Sequence, residues 1–165
     1  MYPPFETVQH DGQCVEVCAP AGVPPAVAQR ARSLALTIAE TVDLVGTMAV
    51  ELFVVPDPDT PDGSRLLLNE LAVRPHNSGH LTIEACATSQ FENHLRAVLG
   101  WPLGSTDLRV GAACMRNIVG PGDGADPFDH LSRALTIPGA SVHHYAKSAR
   151  PGRKLVVADL SNIEG

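Results

Sequence analysis

The chain has 165 residues, 44% of them hydrophobic, with 18 acidic and 12 basic side chains and a formal charge of -6. That length suits one large domain or two small ones with a real core. The acidic balance argues against a general nucleic-acid or membrane-surface binder, because such surfaces carry a basic excess. No apolar run reaches the roughly 18 residues that span a bilayer. Met1 to Glu6 lacks the charged-then-apolar pattern of an export signal.

In chain order, Tyr2 to Val17 reads as two extended runs around the turn pair Asp11-Gly12. Pro24-Pro25 opens a helix, with Pro25 in the first turn, where a missing N–H costs little. The helix runs from Ala26 to Thr41 on a stripe of Val27, Ala31, Leu34, Leu36, Ile38 and Val42. Thr47 to Val55 is a strand, the Pro- and Asp-rich Pro56 to Ser64 a loop, and Arg65 to Ala72 a second strand. Joined this way, the two strands form an antiparallel pair. Ser89 to Leu99 is a helix with Phe91, Leu95, Val98 and Leu99 on one face.

Gly100 to Asp107 holds Pro102, two glycines and Ser105-Thr106, and is the candidate boundary between units 1–104 and 105–165. Beyond it lie a strand at Ala112–Val119, a glycine-rich loop at Gly120–Asp126, a short helix at Pro127–Leu135, and strands at Ser141–Ala146 and Lys154–Ala158. The four cysteines, Cys14, Cys18, Cys86 and Cys114, are scattered and form no C-x-x-C pair. They read as reduced, packed thiols of a cytoplasmic protein.

Three features carry chemistry. Glu51 and Glu70 each interrupt an apolar strand, Met48–Phe53 and Leu66–Leu71. A lone Glu in a strand usually faces solvent. Two on paired strands can meet, repel each other, and be relieved by Mg²⁺, a hard cation that takes oxygen ligands and nucleotide phosphates. The second feature is the run from Asn69 to His80, dense in groups that hold anions: the fork of Arg74, donors on His76, Asn77 and Ser78, and Gly79 for close backbone approach. His76 and His80 have a spacing that hints at zinc, but Pro75 and Gly79 disfavour a helix there and no third ligand stands out. The third is Lys147 to Lys154, four cations in eight residues around a Pro-Gly turn. Such a run is commonly a solvated surface turn, and otherwise a phosphate pocket.

The segment NELAVRPHNSGHLTIEACATSQ, from Asn69 to Gln90, continues as FENHLRAVLGWPLG. With the opening YPPFETVQHDG and the late ARPGRK, it resembles the N5-carboxyaminoimidazole ribonucleotide synthetase family, ATP-grasp enzymes of purine biosynthesis. The resemblance runs from about Tyr2 to Lys154. It implies an α+β fold: an ATP-grasp C-terminal subdomain with antiparallel strands backed by two helices, followed by a small, mostly β domain.

The resemblance also implies a reaction. ATP phosphorylates bicarbonate to carboxyphosphate, and the activated carboxyl passes to the amine of aminoimidazole ribonucleotide. Glu51 and Glu70 would then ligate Mg²⁺, and Asn69 with Glu70 would lie at the ATP phosphates. Arg74, His76 and Asn77 would stand where bicarbonate and the phosphoryl group react. Lys147, Arg150 and Arg153 would hold the ribonucleotide phosphate. Two departures stand out: Val73 replaces the family's usual Pro, and Val156-Val157 replaces Gly-His after the last basic run.

The family's N-terminal parts have no counterpart here, so the expectation is a chain inactive alone. Its exposed apolar surface would be met by a second copy or by a separate chain supplying the rest. The alternative expectation is a non-catalytic remnant that binds at most Mg²⁺ and nucleotide.

Overall fold

The computed structural model describes residues 1–119, 128–145 and 154–161, those at 119, 128–130 and 154–161 by their backbone. The elements are β1 (Glu6–His10), β2 (Gln13–Ala19), α1 (Pro25–Thr41), β3 (Ala49–Pro56), β4 (Ser64–Ala72), a 3₁₀ turn (Asn77–Leu81), α2 (Thr82–Ala85) and α3 (Gln90–Val98). Then follow β5 (Ala113–Val119), α4 (Phe128–Ala134), β6 (Ala140–His144) and β7 (Lys154–Ser161).

The local code is visible at the ends of elements. Asp11 and Gly12 both take positive φ, 48° and 72°, as a two-residue hairpin turn requires, and β1 pairs antiparallel with β2 across them. Pro25 occupies the first turn of α1. Ser89 caps α3 by accepting from the Glu92 N–H. The loop between β3 and β4 is tied down by Asp62, whose carboxylate takes bonds from Ser64 and from Arg30 on α1.

Two sheets result. β3 and β4 form an antiparallel ribbon, and a five-stranded antiparallel sheet runs β1-β2-β5-β7-β6. The larger sheet draws β1 and β2 from one side of Gly104 and β5 to β7 from the other. Its core is Val17, Ala19, Leu81, Ala85, Ala113 and Met115, with Phe5, Leu108 and Val110 packed against it. Leu81 and Ala85 are fully buried, so the 3₁₀ turn and α2 are held to the sheet by their own apolar side chains. No helix among the described residues is long and apolar enough to cross a membrane.

Two expectations are corrected. Cys18 and Cys114, read as separate thiols, are joined by a disulfide. They are 96 residues apart, but the β2–β5 register sets them directly opposite with Cα atoms 4.1 Å apart. Cys86 is a buried thiol. The run after Arg74, read as too rich in Pro and Gly for a helix, is helical from Asn77 to Ala85. Pro75 lies before that turn, and Gly79 is accommodated within one short turn.

On α3 the apolar residues that share a face do not pack inward: Leu95, Val98 and Leu99 are exposed, and the buried residues are Gln90 and Asn93. The reason is a set of hydrogen bonds. The Asn93 amide donates to the Tyr2 hydroxyl and accepts from the Gly104 N–H, holding two distant segments against the helix. The Tyr2 hydroxyl in turn donates to the Thr88 carbonyl, and burial pushes its pKa up to about 12.

Candidate active site

The site begins in the β3–β4 ladder. Glu51 and Glu70 are direct cross-strand partners, so their side chains leave the same face of the ribbon. Immediately after them the register slips: Leu52 pairs with Leu68, and Asn69 has no partner. In an unbroken strand Asn69 would point away from Glu70. The bulge re-aims it, and its amide donates to Glu51 Oε2 at 3.1 Å.

The other Glu51 oxygen faces His76. The His76 ring stands with Nε2 3.5 Å from Glu51 Oε1 and is largely buried. Its Nδ1 accepts from the Ser78 backbone N–H and lies 2.8 Å from the Ser78 hydroxyl. An accepting Nδ1 puts the ring proton on Nε2, aimed at the carboxylate. Asn77 follows at the start of the 3₁₀ turn. Its amide nitrogen is buried and has no hydrogen-bond partner among the described residues. A buried, unmet donor is costly and is a place where a ligand oxygen is welcome.

The remaining candidates are placed as follows. Glu70 is exposed, and Glu51 is 29% exposed at its side chain. The expected buried pair is therefore corrected to one partly covered and one exposed carboxylate, and what Glu70 contributes is like charge directly opposite. Arg74 is exposed, and its guanidinium bonds the Pro75 carbonyl rather than any of the other candidates. His80 turns its Nδ1 to the carbonyls of His76 and Asn77, and its ring meets Phe91 and Tyr145 edge-on. No group of three metal-binding side chains occurs among the described residues. Lys147, Arg150 and Arg153 lie outside the described residues. Glu51, Asn69, Glu70, His76 and Asn77 all line one open cleft of 1810 Å³.

The same cleft-forming segment has known relatives. The ATP-grasp domain matches residues 1–91, more than half of the chain. This chain belongs to the ATP-grasp family. Within its later part, residues 113–156 match the phosphoribosylaminoimidazole carboxylase C-terminal domain.

The ATP-grasp chain is similar to the N5-carboxyaminoimidazole ribonucleotide synthase of Mycobacterium tuberculosis. The two are 49% identical over 160 residues, which take in 93% of this chain and 35% of that protein. Among solved structures it is similar to the synthetase from Thermus thermophilus, with a TM-score of 0.83 and 42% identity over 97% of this chain and 41% of that one. It is equally similar to the Aspergillus clavatus synthase solved in complex with ADP and 5-aminoimidazole ribonucleotide, with a TM-score of 0.84 and 42% identity over 97% and 42% of the two chains. The chain thus spans about a third of the length of the curated relatives it matches.

Within this ATP-grasp chain the sequence reading gave no role to Gln90 or Thr82. Both are buried polar residues beside the loop, at 2% and 1% exposure. The signal available in the sequence was a glutamine directly after the helix cap Ser89, on the face of α3 away from the apolar stripe. The contact of His76 with Glu51 joins residues 25 apart, and no local pattern announces it.

Proposed function

We propose that this chain supplies the cation- and bicarbonate-handling part of an ATP-dependent carboxylation of aminoimidazole ribonucleotide to its N5-carboxyamino derivative. What carries the reading is the opposed pair Glu51 and Glu70, beside the unmet Asn77 amide in one cleft. An opposed pair of like charges destabilises a ribbon unless something of opposite charge joins it.

The donor set fits Mg²⁺, which prefers carboxylate oxygens and nucleotide phosphates. Glu51 and Glu70 would hold it, with Asn69 and His76 fixing the orientation of Glu51. When bound, the cation neutralises charge on the ATP phosphates. Asn69 and Glu70 would lie beside those phosphates. His76 and Asn77 hold the bicarbonate, and Arg74 swings from its Pro75 carbonyl to the anion. A bicarbonate oxygen takes the γ-phosphoryl group, giving ADP and carboxyphosphate. The ribonucleotide amine then attacks the carboxyl carbon, losing a proton as phosphate departs. Lys147, Arg150 and Arg153 hold the ribonucleotide phosphate. Positioning and charge neutralisation do most of this work.

Part of the reading is a further polypeptide, either a second copy or a segment like those of the longer relatives. The exposed Phe53, Leu68, Leu95, Trp101 and Leu103 favour such a cover. A cytoplasmic setting is also part of it, and the Cys18–Cys114 bond is the feature at odds with a reducing compartment.

The test combines the chain with a polypeptide corresponding to the rest of the Mycobacterium tuberculosis relative. ADP release should require both bicarbonate and aminoimidazole ribonucleotide, and should fall at least about 100-fold in Glu70→Ala. Release that ignores bicarbonate, or that survives Glu70→Ala, refutes the proposal. A non-catalytic module would bind Mg²⁺ and nucleotide with no release in any combination.

A further inference from the structure

We propose that Gln90 is the positioning residue of the reacting loop: its carboxamide clamps the backbone of His76 from both sides and so sets where the His76 ring and the Asn77 amide stand. Gln90 Oε1 accepts from the His76 N–H at 2.9 Å, and Gln90 Nε2 donates to the His76 carbonyl at 2.7 Å. One side chain thus satisfies both polar groups of one residue across 14 positions of sequence. A carboxamide does this at any pH, since it carries an acceptor and a donor side by side, whereas a carboxyl group does so only when protonated.

The clamp is itself anchored. Gln90 is the first residue of α3, where backbone N–H groups have no helical partner. Its N–H goes to the Thr82 hydroxyl at 2.8 Å, and that hydroxyl donates to the Gly79 carbonyl at 2.5 Å. The loop is therefore held at His76 and at Gly79 by the start of one helix. Gly79 completes the fit: a Cβ there would stand on the Gln90 carboxamide. This gives Gly79 a packing reason that does not involve a ligand. With Gln90 2% exposed, the bonds are shielded from competing water.

The consequence runs through Asn77 and Ser78. His76 is extended at φ -113° and ψ 154°, and the 3₁₀ turn starts directly after it. Fixing both peptide groups of His76 fixes the direction in which Asn77 enters the cleft. It also fixes the distance from the ring to Glu51. That this positioning serves carboxylation rests on the function proposed above, whereas the clamp stands on the geometry alone.

The experiment uses the full chain, alone and with the complementing polypeptide. Gln90→Met keeps the volume and removes both bonds. Its His76 amide should exchange with solvent at least about tenfold faster by NMR, with unchanged circular dichroism. In the complemented enzyme kcat should fall about 10- to 100-fold while KM for ATP stays within about twofold, because the loop orients the reacting groups rather than the nucleotide.

Gln90→Glu supplies a second variant if Gln90→Met fails to fold. It keeps the acceptor, and only its protonated form can donate to the His76 carbonyl. Its rate relative to the parent should therefore recover as pH is lowered, which a space-filling role would not produce. Gly79→Ala should displace the carboxamide from the other side and reproduce the fast His76 exchange. Unchanged His76 exchange in Gln90→Met and in Gly79→Ala overturns the clamp, and a parallel change in kcat and KM for ATP overturns its role in positioning the reacting groups. Fast exchange in a system whose parent never turns over sinks the functional reading and leaves the clamp in place.

Discussion

Replacing Glu70 by Gln removes one charge from a directly opposed pair and leaves the side chain's shape intact. Cross-strand partners have Cβ atoms about 5 Å apart, and two unit charges at that distance in water repel by about 0.8 kcal/mol. Glu70 is exposed, so the water value is the appropriate one, and salt lowers it further. Without divalent cation, then, Glu70→Gln should leave the chain as stable as the parent or more stable by up to about 0.8 kcal/mol. Added Mg²⁺ should reverse the order. At a concentration about tenfold above its dissociation constant, a ligand bound only by the folded state stabilises it by about 1.4 kcal/mol.

The assay is urea unfolding in EDTA and in MgCl₂ at matched ionic strength. With a slope of about 1–3 kcal/mol per molar urea, the parent midpoint should rise by roughly 0.5–1.4 M on adding Mg²⁺. The Glu70→Gln midpoint should barely move. A Glu70→Gln chain that is less stable than the parent in EDTA refutes the repulsion. One that gains as much from Mg²⁺ as the parent refutes the cation site. The two failures are separate, because the first concerns the ladder and the second what the ladder holds.

Other consequences are simpler to check. Asn93→Ala should destabilise the chain by about 2–4 kcal/mol in chemical denaturation, because it strands the Gly104 N–H and weakens the docking of Tyr2. Burial raises the Cys86 thiol to about 11, so at pH 8 it should resist iodoacetamide in the folded chain and label once urea unfolds it, as read by peptide mass spectrometry. Burial is the largest single influence on Asp62 and raises its pKa, but the bonds from Ser64 and Arg30 and the Arg30 charge together outweigh it, and the net result is below the ordinary carboxylate value. A carboxyl lowered on folding stabilises at pH above its unfolded value and loses that contribution as pH falls through its folded one. Acid unfolding below about pH 4 should therefore be shallower in Asp62→Asn than in the parent.

Much of the fold was legible because its local signals agree with its tertiary role. Asp11-Gly12 encodes a turn whatever surrounds it, and Pro25 and Ser89 mark helix starts by satisfying local backbone geometry. The β3–β4 ribbon was legible for the same reason, with two β-rich runs across a short Pro-Asp loop. What local pattern could not carry was register and inversion. Cys18 meets Cys114 only because β2 and β5 are neighbours, and nothing near either residue encodes that pairing. The stripe on α3 was read correctly as a stripe, but periodicity says which residues share a face and not which face is buried.

That inversion bears on the site. A helix that presented its leucines to the core would have no reason to hold a buried carboxamide at its first position. Because α3 buries Gln90 and Asn93 instead, it fastens loops through hydrogen bonds: Asn93 takes Tyr2 and Gly104, and Gln90 takes His76. Glu51, Glu70 and the loop from Arg74 were visible in the sequence as residue types whose charge is hard to explain structurally. The residues that aim them were invisible because a buried glutamine looks, in sequence, like any polar residue on a helix surface. Hydrogen-bond geometry has little tolerance compared with apolar packing, so a loop aimed by two short bonds to one peptide unit is set more tightly than one resting on leucine. An oriented anion needs that tightness, and the exposed leucines of α3 remain available for whatever covers them.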